Sequence, residues 1–186
     1  PISALVTAPP VMTRINAGIP PLALTDRHLL AECREIGRVA NLVRARLAKG
    51  LALAVPAEFS LGRGHVRFFY DKGGYVVKRW DALAHEAHSR GFRASVWDRW
   101  EGMPKEVLND WDDRSAAATV AARISARVMT QRTEPRIEGK PADRGRYRDY
   151  LRLIVERVAD YGNQYQELHP SWEYAGTVRH TVTLSP

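Results

Sequence analysis

Residues 26–50, "DRHLLAECREIGRVANLVRARLAKG", decide the fold because their apolar residues recur alternately four and three positions apart. This spacing aligns one apolar stripe along an amphipathic helix, which we predict over about 26–48. Thr25 or Asp26 is the expected N-cap, and Gly50 is the expected stop. The stripe consists of Leu29, Cys33, Ile36, Ala40, Val43 and Leu47. The other faces carry polar residues, namely His28, Glu32, Arg34, Glu35, Arg38, Asn41 and Arg44.

Three further helices are predicted along the chain. They cover about 74–90, 114–131 and 147–161. The first of them stops at Gly91, and the second follows a cap at Asp112 or Asp113. The stretch 133–146 is rich in proline, glycine and charge, so it is predicted to be a linker. A chain of 186 residues supports one core better than two. We therefore predict an all-α, single compact domain of three to four packed helices.

Charge and cysteine content narrow the class of protein. The net charge is +7, and Lys and Arg outnumber Asp and Glu by 7 to 3 over residues 13–50 and by 10 to 4 over 114–152. Arginine dominates both blocks, and its planar fork suits phosphate, so a polyanion is the expected partner; a solvated basic surface is the alternative. The single cysteine, Cys33, excludes an intramolecular disulfide and fits a reducing cytoplasm. Residues 1–13 resemble neither a membrane span nor a secretory signal.

Glu35 and a pair of histidines are candidate sites with ordinary alternatives. Glu35 lies between Arg34 and Arg38, an arrangement typical of a salt-bridged surface carboxylate but also available to a catalytic one. His85 and His88 are three residues apart, and no third ligand accompanies them. This spacing favours surface histidines over a zinc site.

Two further patterns suggest ligand binding. Asp110, Asp112 and Asp113 offer oxygen ligands for magnesium, although helix capping accounts for two of them. The "GRG" at residues 62–64 resembles a phosphate-binding turn but lacks the Lys-Ser/Thr of a nucleotide loop. We predict instead that its backbone packs against the first helix. Neither a metal nor a cofactor is expected.

The tryptophans divide into two groups. Those at 80, 97, 100 and 111 are expected in the core. Trp172 and Tyr174 instead lie in the loop "HPSWEYAG", residues 169–176, which is bounded by proline and glycine. Aromatic residues in such a loop can stack on bases or wedge beside them.

Three motifs in this order and spacing resemble the bacteriophage endonuclease V family. They are "MTRIN" (12–16), "HLLAECREIGRV" (28–39) and "GRGHVRFFYDK" (62–72). Residues 114–127 and the 169–176 loop resemble later family segments more loosely. Members of this family are pyrimidine-dimer DNA glycosylases with an associated abasic-site lyase activity. The resemblance covers most of residues 12–132 together with 169–176.

The resemblance implies a helical fold in which the N-terminal segment passes between the helices to the active site. It also implies that the initiator methionine is removed and that the α-amine of Thr13 is the nucleophile. Such an amine has a pKa of about 7.7–8.0, against about 10.4 for lysine, so a useful fraction is neutral at pH 7. Glu35 matches the catalytic glutamate of the family, and no metal or redox cofactor is required.

The expected partner is damaged double-stranded DNA, bound by a monomer without membrane association. The residues that match DNA-contacting positions are Arg14, His28, Arg34, Arg38, Arg123, Arg127, Trp172 and Tyr174. Arginines of this kind set the register on the phosphates and make affinity salt-dependent, whereas damage selectivity is expected from kinking and nucleotide extrusion.

Two features depart from the short family members. Residues 133–168 are predicted to be an insertion within the domain 13–186, with three open roles: a larger DNA footprint, an altered lesion preference, or a brace for the fold. Residues 1–12 precede Thr13 as an N-terminal extension, which we expect to be absent or processed in the active form. The amine of Pro1, exposed by processing, is an alternative nucleophile, but nothing near Pro1 resembles a family motif. A non-catalytic module for distorted DNA is the competing function, and a basic protein that binds RNA or another acidic partner is the third.

Overall fold

The computed structural model of the protein describes residues 14–94 and 99–161. These residues form five α-helices and one two-stranded hairpin, which confirms the mostly α-helical fold. The helices are α1 (Asp26–Glu35), α2 (Arg38–Ala48), α3 (Gly73–Ser89), α4 (Ala117–Thr130) and α5 (Arg144–Tyr161). Short 3₁₀ turns cover Pro21–Ala23, Arg67–Phe69, Lys105–Val107 and Arg114–Ala116. No helix in the described ranges is long and apolar enough to span a bilayer. Thr13, Trp97, Trp172, Tyr174 and the extension 1–12 lie outside the described residues.

The first predicted helix is interrupted, so the continuous helix over 26–48 is wrong at residues 36–37. Gly37 lies where the indole of Trp80 approaches from α3, and a Cβ at this position would come within 2.6 Å of Trp80 Cη2. Ile36 and Gly37 keep right-handed helical dihedrals, so the break between α1 and α2 is short. The predicted end near Gly50 and the N-cap at Thr25 are confirmed, since the Thr25 hydroxyl accepts a hydrogen bond from the His28 amide.

The remaining helices lie close to their predicted positions. α3 ends before Gly91, as expected, and α4 follows a 3₁₀ turn that begins after Asp113. α1 packs against α3, and α4 packs along α5. Trp80 and Trp100 are buried in the resulting core, as predicted, whereas Trp111 is half-buried.

Residues 133–146, predicted to be a linker, instead contain a hairpin fastened to α1. Its strands are β1 (Arg136–Ile137) and β2 (Lys140–Pro141), and they are paired antiparallel. Glu138 and Gly139 form a two-residue turn with φ values of 52° and 75°, typical of a type I′ hairpin. Both turn amides donate to the carboxylate of Asp26, at 3.0 and 2.8 Å. The predicted insertion is therefore joined to the first turn of α1.

α5 contributes to the core of the molecule. Its buried residues are Tyr147, Leu151, Ile154 and Val158. The hydroxyl of Tyr147 donates to the carbonyl of Ala23 at 2.9 Å, just before α1. Burying an apolar helix face of this size stabilises the neighbouring α4 through the hydrophobic effect. Residues 144–158 are thus structurally continuous with the rest of the domain.

The N-terminal segment, residues 14–20, runs through the interior, as expected for a segment that passes between helices. Asn16 bonds to Glu32 of α1, to Arg79 of α3 and to Arg123 of α4. Its fully buried apolar side chains are Ile15, Ala17 and Ile19. Three helices therefore determine the path of the chain as it leaves Thr13.

We expect Gly37→Ala to destabilise the protein by about 1–3 kcal/mol, because its new methyl group overlaps the buried Trp80 ring. Urea unfolding measures this loss. Gly62→Ala is the matched control, since a Cβ at Gly62 meets nothing within 4 Å. Equal stability of the two variants would contradict the close approach of α3 to the break.

Candidate functional site

An open cleft of about 220 Å³ lies where the N-terminal segment meets α1 and α4. Two carboxylates, four guanidinium groups and one imidazole face it. The lining residues are Arg14, Asn16, Arg27, His28, Ala31, Glu32, Glu35, Arg123, Ile124 and Arg127. Because cationic side chains dominate the wall, the cleft attracts an anionic ligand.

Glu35 is the partly accessible carboxylate of this cleft. It ends α1, and its side chain is 21% exposed. Arg38, at the start of α2, donates to Glu35 Oε2 at 2.6 Å. The short break between the two helices therefore leaves Arg38 within reach of Glu35. This pairing holds the carboxylate in one orientation at the edge of the cleft.

Glu32, one turn earlier, has a different role from the surface position that the helical pattern predicts. It is 1% exposed and accepts from Asn16 Nδ2 at 2.6 Å and from Arg79 Nε at 2.9 Å. The arriving N-terminal segment covers this side of α1, and periodicity within the helix cannot reveal that. Glu32 is thus a buried anchor of the segment.

Arg79 completes the anchor and was not singled out from the sequence. Its guanidinium donates to the carbonyls of Ile19, at 2.7 Å, and Asn16, at 2.9 Å, in addition to Glu32. An arginine among the apolar residues of "YVVKRWDALA" in α3 was the available signal. A buried guanidinium requires such partners, because an unpaired charge in the interior is very costly.

The cationic wall combines residues from three parts of the chain. Arg14 belongs to the N-terminal segment, Arg27 to α1, and Arg123 and Arg127 to α4. Arg123 donates to Asn16 Oδ1 at 2.6 Å, and burial, reinforced by the charge of Arg14, lowers its pKa to about 10. It stays protonated at neutral pH. Arg27 was missed because isolated surface arginines are common.

His28 faces the same cleft as a neutral imidazole. Burial, followed by the charges of Arg127 and Arg123, lowers its pKa to about 4. The Thr25 hydroxyl lies 2.7 Å from Nδ1 and also accepts from the His28 amide. The hydroxyl can donate to Nδ1 or accept from it, because its oxygen has two lone pairs and its hydrogen can rotate. His28 therefore adds a polar group to the cleft without a positive charge.

Five of the predicted site residues meet in the cleft. They are Arg14, His28, Glu35, Arg123 and Arg127. Arg34 and Arg38 are exposed and do not line it, although Arg38 contacts Glu35. Thr13 lies outside the described residues, but its sequence neighbour Arg14 is part of the wall. The aromatic pair Trp172 and Tyr174 also lies outside the described residues.

The alternative sites do not assemble. His85 and His88 are both exposed, as predicted for surface histidines. Among the described residues, no three His, Cys, Asp or Glu side chains gather in a metal-binding group. Asp112 and Asp113 have different partners and do not face one site. Asp112 pairs with Arg114, whereas Asp113 is buried and accepts a hydrogen bond from the Gly18 amide.

The prediction that residues 62–64 pack against the first helix is wrong. A Cβ at Gly64 would lie 3.2 Å from Pro56, and one at Gly62 would touch nothing within 4 Å. The motif instead precedes His65, which is buried and contacts the N-terminal segment. Its glycines form a turn in the loop between α2 and α3.

We expect the stability of the protein to fall as the pH drops from 7 toward 5. The pKa of His28 is about 4 in the folded state but near 6.5 when unfolded, so only the unfolded state binds a proton in this window. The contribution of His28 is about 1–2 kcal/mol between these pH values. Urea unfolding at several pH values should show a flatter profile for His28→Asn, whereas the exposed His85→Asn serves as the matched control. A profile unchanged by His28→Asn would refute the buried neutral imidazole.

Comparison with known families agrees with the three motifs. The family model described as pyrimidine dimer DNA glycosylase matches residues 12–97. This range contains the N-terminal segment, Glu35 and helices α1 to α3, and it begins at Met12. Residues 12–97 are therefore similar to the pyrimidine dimer DNA glycosylases, in agreement with the endonuclease V resemblance of the three motifs.

Proposed function

We propose that the protein excises the base of ultraviolet-induced pyrimidine dimers, or of related lesions, and then cleaves the strand as an abasic-site lyase. The observation that carries this proposal is the cleft itself. In it, Glu35 faces four arginines, and one of them, Arg14, directly follows Thr13. A carboxylate, a nearby amine and a phosphate-binding wall are the groups that this reaction needs.

The nucleophile of the proposed reaction is the α-amine of Thr13. Its nitrogen bonds to C1′ of the damaged nucleotide, the bond from C1′ to the base breaks, and the base leaves with that electron pair. Opening of the sugar then breaks the C1′–O4′ bond, and O4′ takes up a proton as the amine nitrogen loses one. The product is a protonated imine. The arginines of the cationic wall, of which Arg14 is nearest in sequence, disfavour protonation of the Thr13 amine. They therefore favour the neutral, nucleophilic form.

Glu35 acts on the sugar after the imine has formed. Its carboxylate stabilises the positive charge on the imine and accepts a proton from C2′, so that the electron pair expels the 3′ phosphate by β-elimination. The contact with Arg38 keeps the carboxylate oriented toward the cleft edge. Water then hydrolyses the imine and regenerates the amine.

The arginines bind the DNA backbone in this proposal. Arg14, Arg27, Arg123 and Arg127 neutralise phosphates beside the lesion. Arg34 is a contact farther along the strand, on the exposed side of α1. Lesion choice depends on unstacking the damaged step, which is less costly at a distorted base pair. Trp172 and Tyr174 are proposed to stack beside that step.

The insertion is proposed to brace the site. Its hairpin amides bond to Asp26 at the start of α1, and α5 packs along α4. These two helices carry His28, Glu35 and the Arg123 and Arg127 pair. Among the three open roles of the insertion, these contacts favour a brace over a larger footprint.

The proposed chemistry requires that Thr13 be the N-terminal residue. With the bond from Met12 to Thr13 intact, Thr13 presents an amide, which cannot form an imine. A chain in that form can only bind distorted DNA. We therefore propose that the active protein begins at Thr13, by internal initiation at Met12 or by processing.

We expect borohydride to trap a covalent adduct between the Thr13-initiated protein and duplexes with a pyrimidine dimer or an abasic site. The full-length chain should give no adduct unless it is processed. Gel electrophoresis with mass spectrometry of the adduct identifies the bonded residue. If both proteins bind the duplexes and neither forms an adduct, the proposed enzymatic function is refuted. The non-catalytic module that binds distorted DNA then remains.

We expect Glu35→Gln to keep duplex affinity within about threefold and to lower the strand-cleavage rate at least about 100-fold, because the amide cannot accept the C2′ proton. Single-turnover cleavage of an abasic duplex measures the rate, and a filter or anisotropy assay measures affinity. The matched control is Glu58→Gln, an exposed glutamate that does not line the cleft. Unchanged cleavage by the Glu35 variant would remove the role assigned to it.

A further inference from the structure

His65 is bonded to the N-terminal segment at Ile15. Among the described hydrogen bonds of that segment, this one lies nearest to Thr13 in sequence. The amide of Ile15 donates to Nε2 of His65 at 3.0 Å, across fifty positions of sequence. The residue is 3% exposed. The other bonds to the segment involve Asn16, Gly18 and Ile19, which lie farther from Thr13.

The protonation state of His65 follows from its two partners. A carbonyl can only accept, so the Ser60 carbonyl, 2.8 Å from Nδ1, requires the hydrogen to lie on Nδ1. Nε2 then carries a lone pair, which the Ile15 amide needs as an acceptor. Only the neutral imidazole with hydrogen on Nδ1 satisfies both contacts.

Aromatic packing keeps the imidazole in this orientation. The rings of Phe59 and Phe69 meet it edge to face, at centroid distances of 5.3 and 5.5 Å. A ring enclosed in this way cannot rotate to exchange its two nitrogens without disturbing its neighbours. His65 therefore offers an acceptor at a defined point in space.

We propose that His65 is a positioning residue, which holds the backbone at Ile15 so that the Thr13 amine is directed at the sugar beside Glu35. This inference rests on the proposed function. Two residues of chain reach at most about 7 Å, so fixing Ile15 strongly limits where the amine can lie. Removing the contact frees the chain before Ile15, while the bonds of Asn16 and Gly18 keep the remainder of the segment in place.

The contact is sensitive to acid. The charged groups that act on His65 are Arg14 on the N-terminal segment, Glu32 on α1 and Arg123 on α4. Burial lowers the pKa of His65, and the two arginines add to this effect, whereas the Ser60 carbonyl and Glu32 oppose it. Protonation puts a hydrogen on Nε2, opposite the Ile15 N–H, and breaks the contact. Protection of the Ile15 amide from hydrogen exchange should thus fall when His65 is protonated, in a step separate from the titration of the Thr13 amine.

The test compares His65→Leu, which removes the acceptor, with His65→Gln, whose side-chain carbonyl can accept in place of Nε2. The protein is the form that borohydride traps in the wild type, and the substrate is an abasic duplex. We expect His65→Leu to slow single-turnover imine trapping about 10- to 100-fold while duplex affinity changes less than about twofold. His65→Gln should recover most of the rate, compared at one pH at which the Thr13 amine is largely neutral.

Hydrogen exchange at the Ile15 amide supplies a measurement that does not depend on activity. Protection should fall in His65→Leu and persist in His65→Gln. Wild-type trapping rates in His65→Leu, or a loss of affinity equal to the loss of trapping, would overturn the positioning role alone. If His65→Leu does not fold, an Ile15 amide whose protection factor changes equally with pH in the wild type and in His65→Gln would overturn it. A wild-type protein that is never trapped overturns the proposed function, even if Ile15 protection depends on His65.

Discussion

The buried ion pair between Glu32 and Arg79 is the constraint on which the rest of the site depends. Both side chains are almost fully removed from water, at 0% and 4% exposure. Isolated, either charge would cost several kcal/mol, so each requires partners in a fixed geometry. Asn16 and the carbonyl of Ile19 supply these partners. The N-terminal segment supplies hydrogen-bond partners to this internal ion pair, so its departure would expose the pair and leave polar atoms of both side chains without those partners.

This constraint also explains how so many arginines can share one cleft. Arg14, Arg123 and Arg127 repel one another, and the charges of Arg14 and Arg127 add to burial, which is the main cause of the lowered pKa of Arg123. The fold tolerates this because its segment is held by neutral and anionic partners deeper in the core, chiefly Glu32 and Asp113. In the proposed function, a bound phosphodiester offsets this repulsion, so the arginines are preorganised for an anion.

Local patterns predicted the helices well but could not predict contacts between distant parts of the chain. The stripe from Leu29 to Leu47 identified the buried face of α1 and α2 as far as Val43, because amphipathic spacing is a property of one helix, but Leu47 is exposed. At the break, Gly37 packs against Trp80, which is more than forty positions away, so spacing within one helix does not reveal this contact. The hairpin at 136–141 was missed because its two-residue strands carry too little alternation to be recognised.

The same distinction applies to the site. Arg14, His28, Glu35, Arg123 and Arg127 were named from family resemblance, and they converge in space. Glu32 was placed on a polar face of the helix, because no feature of α1 indicates that the N-terminal segment covers it. In the hairpin turn, the described hydrogen bonds to Asp26 come from the main-chain amides of Glu138 and Gly139 and not from the Glu138 side chain. The Glu138 side chain is exposed, so a fluorophore at this position, on a residue that accepts φ near 52°, would report undocking of the hairpin while leaving the bonds to Asp26 intact.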